Sequence, residues 1–290
     1  MTKDELAILR RAYAHQMVAL TGAQDSDLER AFAAVPREVF LGPGPWMFRG
    51  FNVAPCRVAE LDPVLVYQDV LVALDEAHGV NNGSPSLHAM MLHALAVVPG
   101  ASVLHVGAGT GYYTAILAEL VGPLGRVTAI EFDPALAAMA TANLRPWPNV
   151  TVICGDGGAF PTETARHIYV NFAVARPADA WLDWLALGGT LLLPLAVPHP
   201  NATGSAGLTA SGSLLLITRT EAGFAVRHLS GCRFVTARGP LAGSAEHRRA
   251  LFAAFERGGQ DFVASLRRGT SPPERCWFWA PDWSLSYDPP

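Results

Sequence analysis

Apolar residues recur at three- and four-residue steps through residues 4 to 34, at Leu6, Leu9, Tyr13, Met17 and Leu20, the spacing of one helix face. Gly22 interrupts the pattern, and Asp25 or Ser26 can cap a second helix that runs to Ala34. Leu41-Gly-Pro-Gly-Pro45 reads as loop. From about residue 85 strands and helices alternate. Strands are predicted at Ser102–Val106, Arg126–Ile130, Val150–Cys154, Ile168–Phe172 and Thr190–Val197. Helices are predicted at Tyr112–Leu120, from Pro134 onward and at Pro177–Leu187. That alternation implies an α/β fold whose sheet is mostly parallel, with helices on both faces. The rhythm then changes to a Pro/Gly/Ser-rich connection over 198–212, a hairpin of Ser213–Thr220 with Phe224–Val235, a helix over Glu246–Leu266 and an aromatic tail.

Half of the 290 residues are apolar and 16% are charged, enough apolar content for a large core. The two richest apolar stretches are interrupted by the glycine loop and Glu119, and by Asp183 and Gly188-Gly189, so no membrane span is predicted. A net charge of −4 gives no basic field for nucleic acid. Lys3 is the only lysine, which excludes a GK[ST] phosphate loop, a pyridoxal Schiff base and a Ser-x-x-Lys nucleophile. Cys56, Cys154, Cys232 and Cys276 are scattered, with neither disulfide nor metal spacing. The acidic start, Met1-Thr-Lys-Asp-Glu-Leu6, is unlike a signal peptide, so a cytoplasmic protein is expected and Asn149 and Asn201 carry no weight as glycan acceptors.

The chemistry concentrates at Val103-Leu-His-Val-Gly-Ala-Gly-Thr-Gly111-Tyr, between the first strand and helix of the α/β region. Glycines allow a tight turn and close backbone approach to a ligand, and the helix behind them presents unpaired N–H groups. A dinucleotide fingerprint would place its last small residue at Tyr112, which is bulky. The pattern present, Gly107-x-Gly109-x-Gly111, is the signature of S-adenosylmethionine (SAM)-dependent methyltransferases. Glu131 closes the second strand, where its two oxygens can accept from a ribose diol, and Phe132 follows it. Gly155-Asp156-Gly157 closes the third strand, where Asp156 can reach an adenine amine.

With their neighbours, these residues resemble the protein-L-isoaspartate O-methyltransferase family. The resemblance is carried by Val35-Pro-Arg-Glu-Val-Phe40, Tyr67-Gln-Asp69, Gly83-Ser-Pro-Ser-Leu-His-Ala89 and Trp184-Leu-Ala-Leu-Gly-Gly-Thr-Leu-Leu-Leu-Pro194, and spans roughly residues 30 to 240. It implies a Rossmann-like class I methyltransferase with a mostly parallel seven-stranded sheet, a helical N-terminal extension and the aromatic tail. The division expected is 1–84 for the extension and substrate loop, 85–240 for the SAM-binding core and 241–290 for the last helix and tail. The implied reaction is methyl transfer from SAM to the α-carboxylate of an isoaspartyl residue. An ionised carboxylate needs no base, so alignment supplies most of the catalysis.

By the same resemblance His88 lies beside the cofactor, and the loop Asn81–Ser84 lies between cofactor and acceptor. The expected cofactor-binding set is therefore Asn82, Gly83, Ser84, His88, Gly107, Gly109, Gly111, Glu131, Phe132, Asp156 and Gly157, with Ser84 as the catalytic hydroxyl and no metal. The departures lie on the acceptor side. The family loop reads Thr-Ile-Ser-x-Pro where this chain has Asn81-Asn-Gly-Ser-Pro85, so the family serine falls on Gly83 and a hydroxyl appears one residue later. The loop is about two residues longer, counted from Tyr67. His105 stands where the family has an acid, and Phe172 where it has small residues. Alternatives are a same-fold methyltransferase for a small apolar metabolite or modified peptide, a non-catalytic SAM-fold module, and, more distantly, a nicotinamide enzyme. The partners expected are an isoaspartyl protein or peptide, or a small-molecule acceptor, with neither nucleic acid nor membrane. Trp277, Phe278, Trp279 and Trp283 suit packing over a sheet edge or helix face, a homodimer contact or a roof over the acceptor.

Overall fold

The computed structural model describes residues 1–50, 54–60, 62–200, 209, 211–269 and 271–290, so Asn201 and most of the 198–212 connection lie outside the described residues. The chain divides into two compact units, Met1–Asp156 and Gly157–Pro290. That division differs from boundaries after residues 84 and 240, because the N-terminal helices pack directly on helices of the glycine-loop region.

In the first unit, α1 (Lys3–Ala19) opens on a capping box. The Thr2 hydroxyl accepts from Glu5 N–H, and the Glu5 carboxylate accepts from Thr2 N–H. Asp25 caps α2 (Ser26–Ala34). There follow β1 (Trp46–Arg49), β2 (Cys56–Val58), the one-turn α3 (Pro63–Val66), β3 (Leu71–Asp75) and β4 (Val80–Asn81), whose strands form an antiparallel sheet in the order β2-β1-β3-β4. Hydrophobic periodicity does not reveal this sheet, because its strands are two to five residues long and carry little alternation.

The α/β part runs through α4 (Pro85–Leu95), β5 (Ser102–Val106), α5 (Tyr112–Val121), β6 (Arg126–Glu131), α6 (Pro134–Asn143) and β7 (Val150–Cys154). β5, β6 and β7 pair in parallel, with Val106 opposite Ile130 and Glu131 opposite Cys154. Their carboxyl ends therefore share one edge, where a parallel sheet binds ligands. Val103, Leu104, Val106, Ala129 and Ile130 of the strands and Ile116 and Leu117 of α5 are all buried in the core of this unit. Tyr13, Phe32 and Tyr112 extend that core to the N-terminal helices through tilted and edge-on ring contacts.

In the second unit β8 (Ala165–Val170) pairs in parallel with β9 (Leu185–Val197), and α7 (Asp179–Asp183) is the short crossover between them. The predicted helix over Pro177–Leu187 is thus cut to five residues, its last positions joining β9. Strands β10 (Ser211–Thr220) and β11 (Gly223–Gly231) form the expected hairpin. The predicted helix over Glu246–Leu266 is corrected: α8 covers Ala245–Arg257, and β12 (Ser265–Arg268) follows. Gly258 and Gly259, at φ 70° and 90°, end the helix in a conformation a side chain resists. The tail forms β13 (Cys276–Trp279) and β14 (Trp283–Ser286), and β14 pairs with β12. Trp277, Phe278 and Trp283 are buried within this unit, whereas Trp279 is 41% exposed. Among the described residues no helix is long and apolar enough to cross a membrane.

Candidate active site

β5 ends at Val106, and the next five residues turn into α5 with Gly107, Gly109 and Gly111 at φ 81°, 59° and 98°. Gly109 and Gly111 have different reasons to lack side chains. A Cβ on Gly111 would stand 2.7 Å from Leu144 Cδ1, so this position is a packing requirement of α5 against the end of α6. A Cβ on Gly109 would meet nothing closer than Leu74 Cδ1 at 3.7 Å, so there the missing side chain leaves open space beside the backbone. Thr110 between them is anchored: its hydroxyl donates to the Phe40 carbonyl, and its own carbonyl accepts from Asn143 Nδ2 at 3.0 Å.

Glu131, at the carboxyl end of β6, is 8% exposed. Its Oε2 accepts from Gly109 N–H at 2.7 Å and its Oε1 from Asp133 N–H at 2.9 Å. Burial raises the carboxyl pKa, while the backbone donors from Asp133, Gly109 and Phe132 work against that rise. A carboxylate has about four lone-pair sites, so with these backbone donors in place Glu131 still has room to accept a hydroxyl donor. Asp133, two residues on, caps α6 by accepting from Ala135 and Leu136 N–H. Phe132 lies between these two carboxylates with 54% of its surface exposed. A buried acceptor pair, a loop open at Gly109 and an exposed ring together fit the ribose and base of an adenosyl cofactor. Asp156 follows β7 at the same strand edge. Gly157 opens the second unit, where its carbonyl accepts from Trp181 Nε1 at 2.9 Å.

The Asn81–Ser84 loop is held by a chain of contacts that begins at Arg37. This guanidinium is fully buried and donates to three carbonyls, those of Val66 at 2.6 Å, Gln68 at 2.8 Å and Val70 at 2.6 Å. It also lies 5.7 Å from the centre of the Tyr13 ring. Segment 66–70 is thereby fixed, and with it Tyr67, whose hydroxyl donates to Glu38, and Asp69. Asp69 Oδ1 accepts from Ser84 Oγ at 3.0 Å and from Ser86 N–H at 3.1 Å, and its Oδ2 accepts from Ser86 Oγ. Ser84 is also the N-cap of α4. Its hydroxyl proton is therefore taken up by Asp69, and the structure gives the Oγ a helix-capping task. In the sequence Arg37 and Asp69 are only marks of the family resemblance, without a role.

Asn82 and Gly83 precede this cap. Asn82 is 7% exposed; its N–H donates to the Val72 carbonyl at 3.0 Å, and its Oδ1 accepts from Val72 N–H at 2.7 Å. Gly83 has a φ of 75°, and a Cβ there would stand 2.2 Å from His88 Nε2. The His88 ring is fully buried and stacks on Tyr113, with centroids 3.7 Å apart and planes 12° apart. It thus fills the place a side chain at 83 would need. Burial holds His88 well below the ordinary histidine range, helped by His105 and Arg37 nearby. His105, also fully buried, has its pKa pushed down to about 3 by burial, with Nδ1 2.8 Å from Thr114 Oγ1. Where the family pattern has an acid, this chain holds a neutral imidazole that ties β5 to α5.

This glycine loop, with an acidic residue closing the adjacent parallel strand, defines a class I SAM-dependent methyltransferase fold. Residues 16–238 match the family model described as protein-L-isoaspartate(D-aspartate) O-methyltransferase, and the chain belongs to that family. A protein-L-isoaspartate O-methyltransferase of Aeropyrum pernix is 36% identical over 173 residues, 58% of this chain and 59% of its own length. That of Methanothermobacter thermautotrophicus is 31% identical over 213 residues, 72% of this chain and 85% of the relative. The fold agrees with a solved protein-L-isoaspartate O-methyltransferase at a TM-score of 0.65 and 23% identity, over 89% of this chain and 72% of that one. A Plasmodium falciparum protein assigned to the same family, solved with S-adenosyl-L-homocysteine, gives 0.59 at 18% identity, over 78% of this chain and 97% of its own.

Proposed function

We propose that the protein binds SAM on the Gly107–Gly111 loop and methylates the α-carboxylate of isoaspartyl residues in proteins or peptides. The observation that carries the cofactor reading is Glu131, buried at the end of β6 and bonded to Gly109 N–H, with acceptor capacity to spare. In this reading Glu131 holds the ribose hydroxyls, Phe132 lies against the adenine, Asp156 accepts from its amine, and the open backbone at Gly109 admits the methionine end. When bound, SAM supplies a methyl already activated by its sulfonium, so an ionised carboxylate requires no base. The residues beside the loop agree with that economy, since His88 and His105 are buried and neutral. Family membership supports the isoaspartyl acceptor.

Labelled SAM and an isoaspartyl peptide test the reading. The labelled methyl ester should form and hydrolyse to volatile labelled methanol, with no release from the matching aspartyl peptide. S-adenosylhomocysteine should raise the thermal midpoint, and NADH should leave it in place. A second reading, a same-fold enzyme for a different acceptor, draws on Gly83 and on the Ser84 hydroxyl bonded to Asp69. It replaces the first when the homologue binds and no isoaspartyl peptide is methylated.

A further inference from the structure

Within the Asn81–Ser84 loop, the usual way to orient a carboxylate is closed. Gly83 carries no side chain and His88 fills the space for one, while the Ser84 hydroxyl donates to Asp69. Asp69 in turn accepts from Ser84 and from both the N–H and hydroxyl of Ser86. One side-chain donor in the loop is left over. Asn82 Nδ2 is buried and has no hydrogen-bond partner among the described residues. Its orientation is fixed by chemistry, because Val72 N–H can only donate, so the oxygen of the amide must face it and the nitrogen cannot. Buried amide donors are ordinarily satisfied, so an unpaired one in this loop asks for an explanation, and an acceptor oxygen of a ligand is one that fits.

We infer that the Asn82 side-chain amide is the donor that orients the acceptor's carboxylate in this protein, in place of a loop hydroxyl; the inference rests on the isoaspartyl reading above. A neutral NH₂ group suits the task. It offers two N–H donors to carboxylate oxygens, has no proton to lose at neutral pH and brings no charge that would repel the anion. Nδ2 is closed to solvent in this conformation, so engaging it requires a local movement of the loop. Gly83, next in the chain at φ 75°, is the residue able to hinge there, and its N–H bonds within the loop to Asn81 Oδ1 at 2.9 Å.

Asn82→Asp separates this role from a structural one, since it keeps an oxygen for Val72 N–H and replaces the donor with an acceptor. The measurements are S-adenosylhomocysteine affinity by calorimetry, and kcat and KM for an isoaspartyl peptide across pH. The expected result is homologue affinity within about twofold of the parent and a peptide KM raised about tenfold or more, the scale of a lost hydrogen bond to a charged group. The defect should narrow as the pH is lowered and the new carboxyl regains an O–H. An unchanged peptide KM would show that Asn82 serves only Val72, and lost homologue affinity with unchanged KM would turn the amide toward the cofactor; either overturns the inference. Where the variant fails to fold, the ¹⁵N side-chain resonances of Asn82 in the parent, loaded with homologue, give the answer: they should shift with the isoaspartyl peptide and stay in place with the aspartyl one. Resonances unmoved by the isoaspartyl peptide sink the inference. A parent that methylates no isoaspartyl peptide overturns the isoaspartyl reading and takes the inference with it, a pattern seen before any variant is made.

Discussion

Restoring a side chain at Gly83 tests how the acceptor loop is packed. In Gly83→Ala the new Cβ would stand 2.2 Å from His88 Nε2 and 2.6 Å from Cδ2, and the backbone there is left-handed at φ 75°. The left-handed conformation costs an L-residue about 1–2 kcal/mol. Overpacking a filled site adds about 1–3 kcal/mol, because the His88 ring lies flat on Tyr113 and has little room to retreat. The sum is a loss of about 2–5 kcal/mol, measurable as a shift of the urea midpoint at constant slope. Gly83→Ser should cost a similar amount and give no gain in methyl transfer, despite restoring the hydroxyl of the family loop. In Gly83→Ala/His88→Ala the steric part should vanish, leaving a coupling energy of about 1–3 kcal/mol in a double-mutant cycle. If Gly83→Ala stays within about 0.5 kcal/mol of the parent, the ordinary range for a surface change, the packing argument is refuted.

Glu131→Ala should weaken S-adenosylhomocysteine binding by about 1.5–3 kcal/mol, the worth of hydrogen bonds to a charged group, and calorimetry that finds unchanged affinity removes the ribose assignment. Arg37→Lys keeps the charge but cannot reach the three carbonyls of Val66, Gln68 and Val70, so denaturation should show a loss of about 3 kcal/mol or more. Stability should also fall in acid. His105 and His167 have folded pKa values of about 3 and about 4, and His88 is likewise depressed, so the unfolded chain binds protons that the folded one refuses. Their stabilisation is complete above the ordinary histidine pKa of about 6.5 and drains away as the pH falls below it toward 4. A urea midpoint that is flat over that interval contradicts the burial of neutral imidazoles.

The parallel strand–helix alternation, the glycine loop and the acid that closes the next strand are legible in residue order alone. Each is a local matter: side-chain period follows from backbone geometry, and a turn that needs left-handed residues announces itself by its glycines. Gly107, Gly109, Gly111 and Glu131 were legible on that ground, and Glu131 does reach Gly109 across two strands because β5 and β6 pair in parallel register. Helix ends were less legible. α8 stops at Gly258 and the chain returns as β12, since strands of four residues gain their stability from the neighbour they pair with and carry little pattern of their own. The contacts within the Asn81–Ser84 loop follow from the fold and not from residue order. The Ser84 hydroxyl donates to Asp69, fifteen residues away and fixed through Arg37, and its oxygen caps α4. Gly83 looked like a missing serine, and the ring of His88 occupies its side-chain space. Hydrogen-bond partners and filled volumes belong to pairs of distant residues, so one sequence can name the groups at such a site but cannot tell which of them is still free to act.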